Sequence, residues 1–282
     1  MKNSHHADIS RHPCYSEDAH FKYGRLHLPV APLCNISCGF CERHISRYYH
    51  SIRPGAAAGI IKPSQVSNYI RCASEKFPML RVVGIAGPGE PLYNNETFMV
   101  LKILADEFPE FQRCVCTNGL LLPDCVSRLV ELDVKYLTVT VNAVKPEIGA
   151  RINGMIHYRN ETETGLMAAA ILLDNQLTGI RMAVDSGITV KVNSVLIPTI
   201  NERHITDIAK TVKNLGVSLM NIMPLIPGGI FKNITPPTCV RLRGARERAE
   251  KYIPQFRVCK QCRADACGIP GSEREIVHTG NP

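Results

Sequence analysis

Residues 34–41 read Cys34-Asn35-Ile36-Ser37-Cys38-Gly39-Phe40-Cys41. They follow at once on a short apolar run, 26–31, that reads as a β-strand. Thiolates are the usual protein ligands of iron–sulfur clusters, and four complete a cubane. Three cysteines this close, without a near fourth, leave one iron open to chelate a small molecule. Zinc sites commonly use paired CxxC steps or CxxC with His spacing, which the unequal steps here fit less well. The triad therefore points to a cluster with an open position, set at the carboxyl end of a strand.

Further strand candidates lie at 80–86, 113–117, 136–142, 188–197 and 218–223. Helical periodicity fills the intervals: Val66, Ile70, Ala73 and Phe77 share one face, as do Ile205, Ile208, Val212 and Leu215. Asn201 is the expected N-cap of the latter helix and Gly216 its stop. Near-continuous apolar strands alternating with helices imply a parallel sheet covered by helices. Six such units are too few for an eight-unit barrel. The expected fold class is α/β, a partial, open six-stranded parallel β/α barrel, with chemistry at the carboxyl ends of its strands. The expected organisation is an N-terminal extension at 1–22, the barrel at 23–224 and a C-terminal extension at 225–282.

The chain has 282 residues, 45% hydrophobic and 21% charged, enough to bury the core of one large domain. No run is apolar and long enough to span a bilayer, and residues 1–10 lack the apolar region of an export signal. A cytoplasmic location is expected. Twelve cysteines are many for a reducing compartment, and their clustering suggests metal or redox chemistry. Cys72, Cys125 and Cys239 stand alone and read as small buried apolar side chains. The net charge of +8 owes much to Arg241, Arg243, Arg246, Arg248 and Lys251, which read as a solvated helix face. Without a nucleic-acid motif, and with no Trp for stacking, nucleic acid is not an expected partner.

A second motif, residues 84–91 (GIAGPGEP), ends the second strand candidate, and its glycines let backbone approach a ligand closely. The triad, with Phe40 before its third cysteine, resembles the signature of the radical S-adenosylmethionine (SAM) superfamily. The glycine-rich turn resembles that superfamily's Gly-Gly-Glu-like segment. The resemblance implies a 4Fe–4S cluster on Cys34, Cys38 and Cys41, with SAM on its open iron and the amino group of SAM near Gly87, Gly89 and Glu90. Asn142, Asn193 and Ser194 are candidate contacts to the ribose and carboxylate of SAM. The alternative for these three is capping of strand-end backbone. In the superfamily an electron from the cluster splits the sulfonium to a 5′-deoxyadenosyl radical.

More specific segments are residues 12–20 (HPCYSEDAH), 30–41 (VAPLCNISCGFC), 116–120 (CTNGL), 146–152 (PEIGARI), 191–198 (KVNSVLIP), 221–226 (NIMPLI) and 259–266 (CKQCRADA). Together they resemble the NifB family of nitrogenase cofactor-maturation enzymes, in the form without a C-terminal carrier domain, from about His12 to Gly271. The resemblance implies two auxiliary 4Fe–4S substrate clusters, fused with a SAM-derived carbide into an eight-iron precursor. By position, His12, Cys14 and Cys114 would serve the first and Cys259 and Cys262 the second. Implied partners are iron–sulfur cluster donors, a reductant and a cofactor carrier or scaffold protein, with no membrane.

One departure concerns the segment after the triad. Many family members have a further cysteine there, and residues 42–47 contain none. Cys116 or His44 is the expected substitute, or the first substrate cluster is held less firmly. Cys267 joins the second site or packs at the surface. Glu42 and Arg43 orient substrate or shuttle protons, or form a salt-bridged loop. Two rival readings remain: a multi-cluster radical SAM enzyme acting on a peptide or nucleotide, and a non-catalytic iron–sulfur scaffold.

Overall fold

Strands β1 (Gly24–His27), β2 (Leu80–Ile85), β3 (Gln112–Thr117), β4 (Tyr136–Thr140), β5 (Thr189–Leu196) and β6 (Leu219–Pro224) lie side by side in chain order, all parallel. The sheet they form curls into a half-barrel, the arrangement expected from the alternating pattern. The computed structural model describes residues 9–46, 55–259 and 263–272. Strand β1 starts earlier than expected and stops at His27. Pro29 and Pro32, which have no N–H to donate, interrupt the ladder beyond it.

Helices α1 (Pro63–Lys76), α2 (Asn95–Glu107), α3 (Leu122–Glu131), α4 (Gly165–Asp185), α5 (Ile205–Asn214) and α6 (Cys239–Glu250) cover the outside. Val66, Ile70 and Ala73 of α1 and Ile205, Ile208 and Val212 of α5 are buried against the sheet, as their spacing predicts. Each large side chain so buried contributes about 1.5–3 kcal/mol. Asn201 does not cap α5, which is preceded by a short 3-10 turn. Its side chain is fully buried, accepting from Ile197 N and donating to the carbonyls of Val195 and Asn142. Helix α6 buries only Ala245 and Ala249, and Arg241, Arg243 and Arg248 form the solvated face expected, whereas Arg246 is half-buried and donates to Ile222 O on β6 at 2.8 and 3.2 Å. Cys125 is half-buried, but Cys72 and Cys239 are exposed and do not pack in the core.

The C-terminal part of the chain touches both edges of the half-barrel, which was not foreseen. At the β6 edge, Met220 N donates to Pro254 O and Phe256 N to Met220 O, at 3.0 and 2.8 Å. At the β1 edge, β7 (Cys267–Gly268) pairs antiparallel with Arg25 and Leu26 and makes the sheet seven-stranded. The strap between these anchors carries Cys259, while Cys262 lies outside the described residues. Cys267 joins the apolar core, in neither of its expected places.

Two smaller pieces complete the frame. Residues Ile36–Cys38 form the first strand of a three-stranded antiparallel ribbon with Asn153–Tyr158 and Glu161–Thr164. The N-terminal segment plugs the amino end of the barrel. There Tyr15 packs edge-on against Tyr136 at 5.1 Å and its hydroxyl meets Thr138 Oγ1 at 3.2 Å. Among the described residues no helix is long and apolar enough to cross a membrane.

Candidate active site

The triad is shaped by its glycine. Gly39 lies under the ring of Phe231, where an added Cβ would come within 2.7 Å of the ring. Its N–H donates to Ile152 O at 2.8 Å, and Cys41 N closes a turn on Cys38 O at 3.1 Å. Cys34, Cys38 and Cys41 consequently line one cavity of about 190 Å³ at the carboxyl ends of the strands. Burial pushes all three thiols up, Cys34 to about 11. Without metal they are neutral, so iron binding must release protons. Among the described residues no three His, Cys, Asp or Glu side chains converge on a single ion. All three thiols line one cavity, and a cluster would take one thiolate per iron.

Beside the triad, the turn after β2 comes very near the backbone at Leu33, the residue before Cys34. A Cβ on Gly89 would sit 2.1 Å from Leu33 O, so only glycine fits. Gly89 N and Glu90 N donate to Ala31 O and Leu33 O at 2.6 and 2.8 Å. The Glu90 carboxylate accepts from Thr117 Oγ1, Leu92 N and Asn118 N. Burial outweighs these donors and raises Glu90 to about 7. Asn142 lines the same cavity with its Oδ1 engaged by Val195 N at 2.8 Å. Asn153, also in the wall, has a buried Oδ1 without a partner. Three thiols, an unsatisfied amide oxygen and glycine-opened backbone make a donor set that fits a 4Fe–4S cluster with a polar ligand such as SAM.

A second cavity, about 220 Å³, fills the barrel interior and shares Phe40, Gly55, Ala86, Cys116 and Thr140 with the first. His12, Cys14, Cys114 and Cys259, far apart in sequence, all line it, together with Cys116. The His12 ring is buried, its Nδ1 accepting from Cys14 N at 3.1 Å and its Nε2 unpartnered. Burial and then the Lys191 charge hold His12 well below its ordinary pKa, so the ring is neutral and, with Nδ1 accepting, carries its proton on Nε2. Cys114 donates its S–H to Cys116, making Cys116 the thiol that ionises first, further helped by His27 and Lys191. A buried neutral imidazole among thiols fits an iron–sulfur substrate, which would bind Nε2 once the ring proton has moved to Nδ1.

The remaining expected residues are placed as follows. Arg43, in the left-handed region at φ 47°, lines the triad cavity. Glu42 lies outside it and accepts from Gly229 N at 2.8 Å, latching the loop that carries Phe231. Gly87 flanks the glycine turn at φ 126°. Asn193 lines the interior cavity instead of the triad cavity. Ser194 lines neither cavity, and its hydroxyl donates to Val141 O, the backbone-capping alternative. His44 is exposed and lines neither cavity, whereas Cys116 lines both. Arg25, His27 and Lys191 of the interior were not foreseen. Their signal is two-residue alternation, which turns residues 25 and 27, 114 and 116, and 191 and 193 to one side of the sheet.

The model of the radical SAM superfamily matches residues 28–212. The chain is 47% identical over 98% of its length to the FeMo cofactor biosynthesis protein NifB of Methanocaldococcus jannaschii, covering 92% of that protein. It is 39% identical to the protein of the same name from Chlorobaculum tepidum, covering 94% of this chain and 63% of that one. Among solved structures, SuiB of Streptococcus suis superposes with a TM-score of 0.62 at 13% identity, over 86% of this chain and 51% of SuiB. A radical SAM methyltransferase from Sphaerobacter thermophilus gives 0.55 at 21% identity, over 86% of this chain and 70% of that one. These two likenesses are of fold.

Proposed function

Because this chain belongs to the NifB family of radical SAM enzymes, which serves nitrogenase cofactor biosynthesis, we propose that it makes the eight-iron precursor of that cofactor. In this reading it fuses two 4Fe–4S substrate clusters, with insertion of a SAM-derived carbide and a sulfur, as a lyase and transferase in one. The observation that carries the reading is the pair of adjoining cavities with a common wall. One is lined by the triad and the glycine turn, the other by His12, Cys14, Cys114, Cys116 and Cys259.

Cys34, Cys38 and Cys41 would hold the resident cluster, and Gly89, Glu90, Asn142 and Asn153 would border SAM. When bound, the cluster and SAM supply one-electron cleavage of a sulfonium to a 5′-deoxyadenosyl radical. The chain's own residues fix where that chemistry acts. Phe40 and Ala86, in the common wall, bring the two cavities within reach of one another. Glu90 fixes the turn after β2 to the loop after β3. His12 and the interior thiols receive the substrate clusters, and a mixed His and Cys shell suits a cluster that must be released. Cluster donors, a reductant and a carrier or scaffold protein would supply and receive, in the reducing cytoplasm.

The test is anaerobic turnover of reduced, cluster-reconstituted protein with SAM, with products separated by chromatography. The expected result is both S-adenosylhomocysteine and 5′-deoxyadenosine, for methyl transfer and radical cleavage in one protein. Deoxyadenosine alone would point to another substrate. Neither product, from protein with verified clusters, would leave only a scaffold.

A further inference from the structure

We propose that Lys191 is the fixed counter-cation of a substrate cluster in the barrel interior, a positioning residue that also ties the Cys14 turn to β5. The inference rests on reading the interior as a substrate-cluster site.

Lys191 is the third residue of β5, its side chain turned inward, and it is 3% exposed. Its Nζ donates to Cys14 O at 2.8 Å. The same ammonium stands 4.8 Å from the ring centre of Tyr15 and 5.4 Å from that of Phe256. Those contacts reach from the barrel wall to the N-terminal plug and to the root of the strap that carries Cys259.

Every one of these partners is neutral. Among the described residues no carboxylate pairs with Lys191, and the thiols of Cys14, Cys114, Cys116 and Cys259 line the same cavity, Cys116 being the readiest of them to ionise. A carbonyl and two ring faces soften the cost of a buried ammonium, but only an anion cancels it. Neighbouring Arg25 differs, since its Nη1 is held by Gly268 O at 2.9 Å at the sheet edge. A thiolate-ligated 4Fe–4S cluster is an anion, and becomes more negative when reduced. The four thiols and the charge between them thus form complementary halves of one site.

The test compares wild type with Lys191→Gln, Lys191→Met and Lys191→Arg, each with and without reconstituted clusters. Gln keeps a hydrogen-bond donor for Cys14 O and removes the charge. Potentials are followed by EPR-monitored redox titration, with the triad-bound cluster as internal control. The expected result for Lys191→Gln is a more negative potential for the interior cluster and several-fold faster iron loss to a chelator, with the control unmoved. Lys191→Arg restores both. Iron-free Lys191→Met is expected to melt no lower than iron-free wild type and to gain less on cluster loading. An interior cluster with wild-type potential and retention in Lys191→Gln would overturn the inference. So would a Lys191→Met chain that fails to fold without iron, because the polypeptide itself would then need the charge. Wild type showing only the triad-bound cluster would instead sink the substrate-cluster reading, and the inference with it.

Discussion

The buried carboxylate of Glu90 accepts the hydroxyl of Thr117 at 2.6 Å, joining the turn after β2 to the end of β3. Its second oxygen takes Asn118 N at 2.6 Å. One side chain thereby sets the spacing of two loops in the wall of the triad cavity.

Glu90 also leaves a signature in pH. Burial raises it to about 7, against about 4.3 in an unfolded chain. A group raised on folding contributes stability fully below its unfolded pKa and loses it as pH rises through the folded one. The span corresponds to on the order of 3 kcal/mol. For iron-free protein, the melting temperature of wild type relative to Glu90→Gln should therefore decline from about pH 5 to pH 7.5 and level off above. Calorimetry across that range decides it, and a difference independent of pH would refute the buried-proton account.

Two glycines test how the walls are built. Gly89→Ala drives a Cβ against a backbone carbonyl, and Gly39→Ala drives one into the Phe231 ring. A ring can shift and a carbonyl in a bonded turn cannot. Gly39→Ala should cost about 1–3 kcal/mol and lower iron retention, while Gly89→Ala should cost more. Urea unfolding of the two variants checks the order, which a cheaper Gly89→Ala would reverse.

Asp265 holds the strap to the segment beside the triad, its carboxylate accepting from Ala58 N at 2.6 Å and from Arg263 at 2.8 and 2.9 Å. Burial works against its ionisation, but Arg263 and the Ala58 N–H prevail and hold it below its usual range. A depressed carboxylate contributes stability above its unfolded pKa and loses it as pH falls through the folded one. Asp265→Asn should cost about 1–3 kcal/mol at neutral pH and almost nothing in strong acid. Denaturant midpoints at several pH values would show a constant cost if the ionised form were irrelevant.

The two cavities should separate genetically. Cys34→Ala, Cys38→Ala or Cys41→Ala should abolish all SAM cleavage. Cys259→Ala paired with Cys262→Ala should preserve the triad-bound EPR signal yet block cofactor maturation. Maturation that survives the double variant would remove the strap from the substrate site.

The six-stranded frame and the triad were legible because long apolar runs and a tight cysteine spacing are local signals. The interior of the barrel was harder, since Arg25, His27 and Lys191 lie within strands whose apolar neighbours dominate the pattern. Only alternation by two reveals that these residues share a face with Cys114 and Cys116. The ribbon from Asn153 to Thr164 hid for a different reason. Its turn places Arg159 and Asn160 at φ 51° and 65°, and arginine is no herald of the left-handed region. Strand β7 is two residues long and carries no periodicity, so pairing with β1 is its only sign.

That short strand has a bearing on solubility. An open half-barrel has two margins of unsatisfied backbone, each a template for pairing with another chain. Here the strap occupies the β1 margin with Cys267 and Gly268 and the β6 margin with Pro254 to Phe256. A chain cut back before Pro254 would uncover both at once and invite edge-to-edge aggregation. The segment that presents Cys259 therefore also keeps neighbouring copies apart.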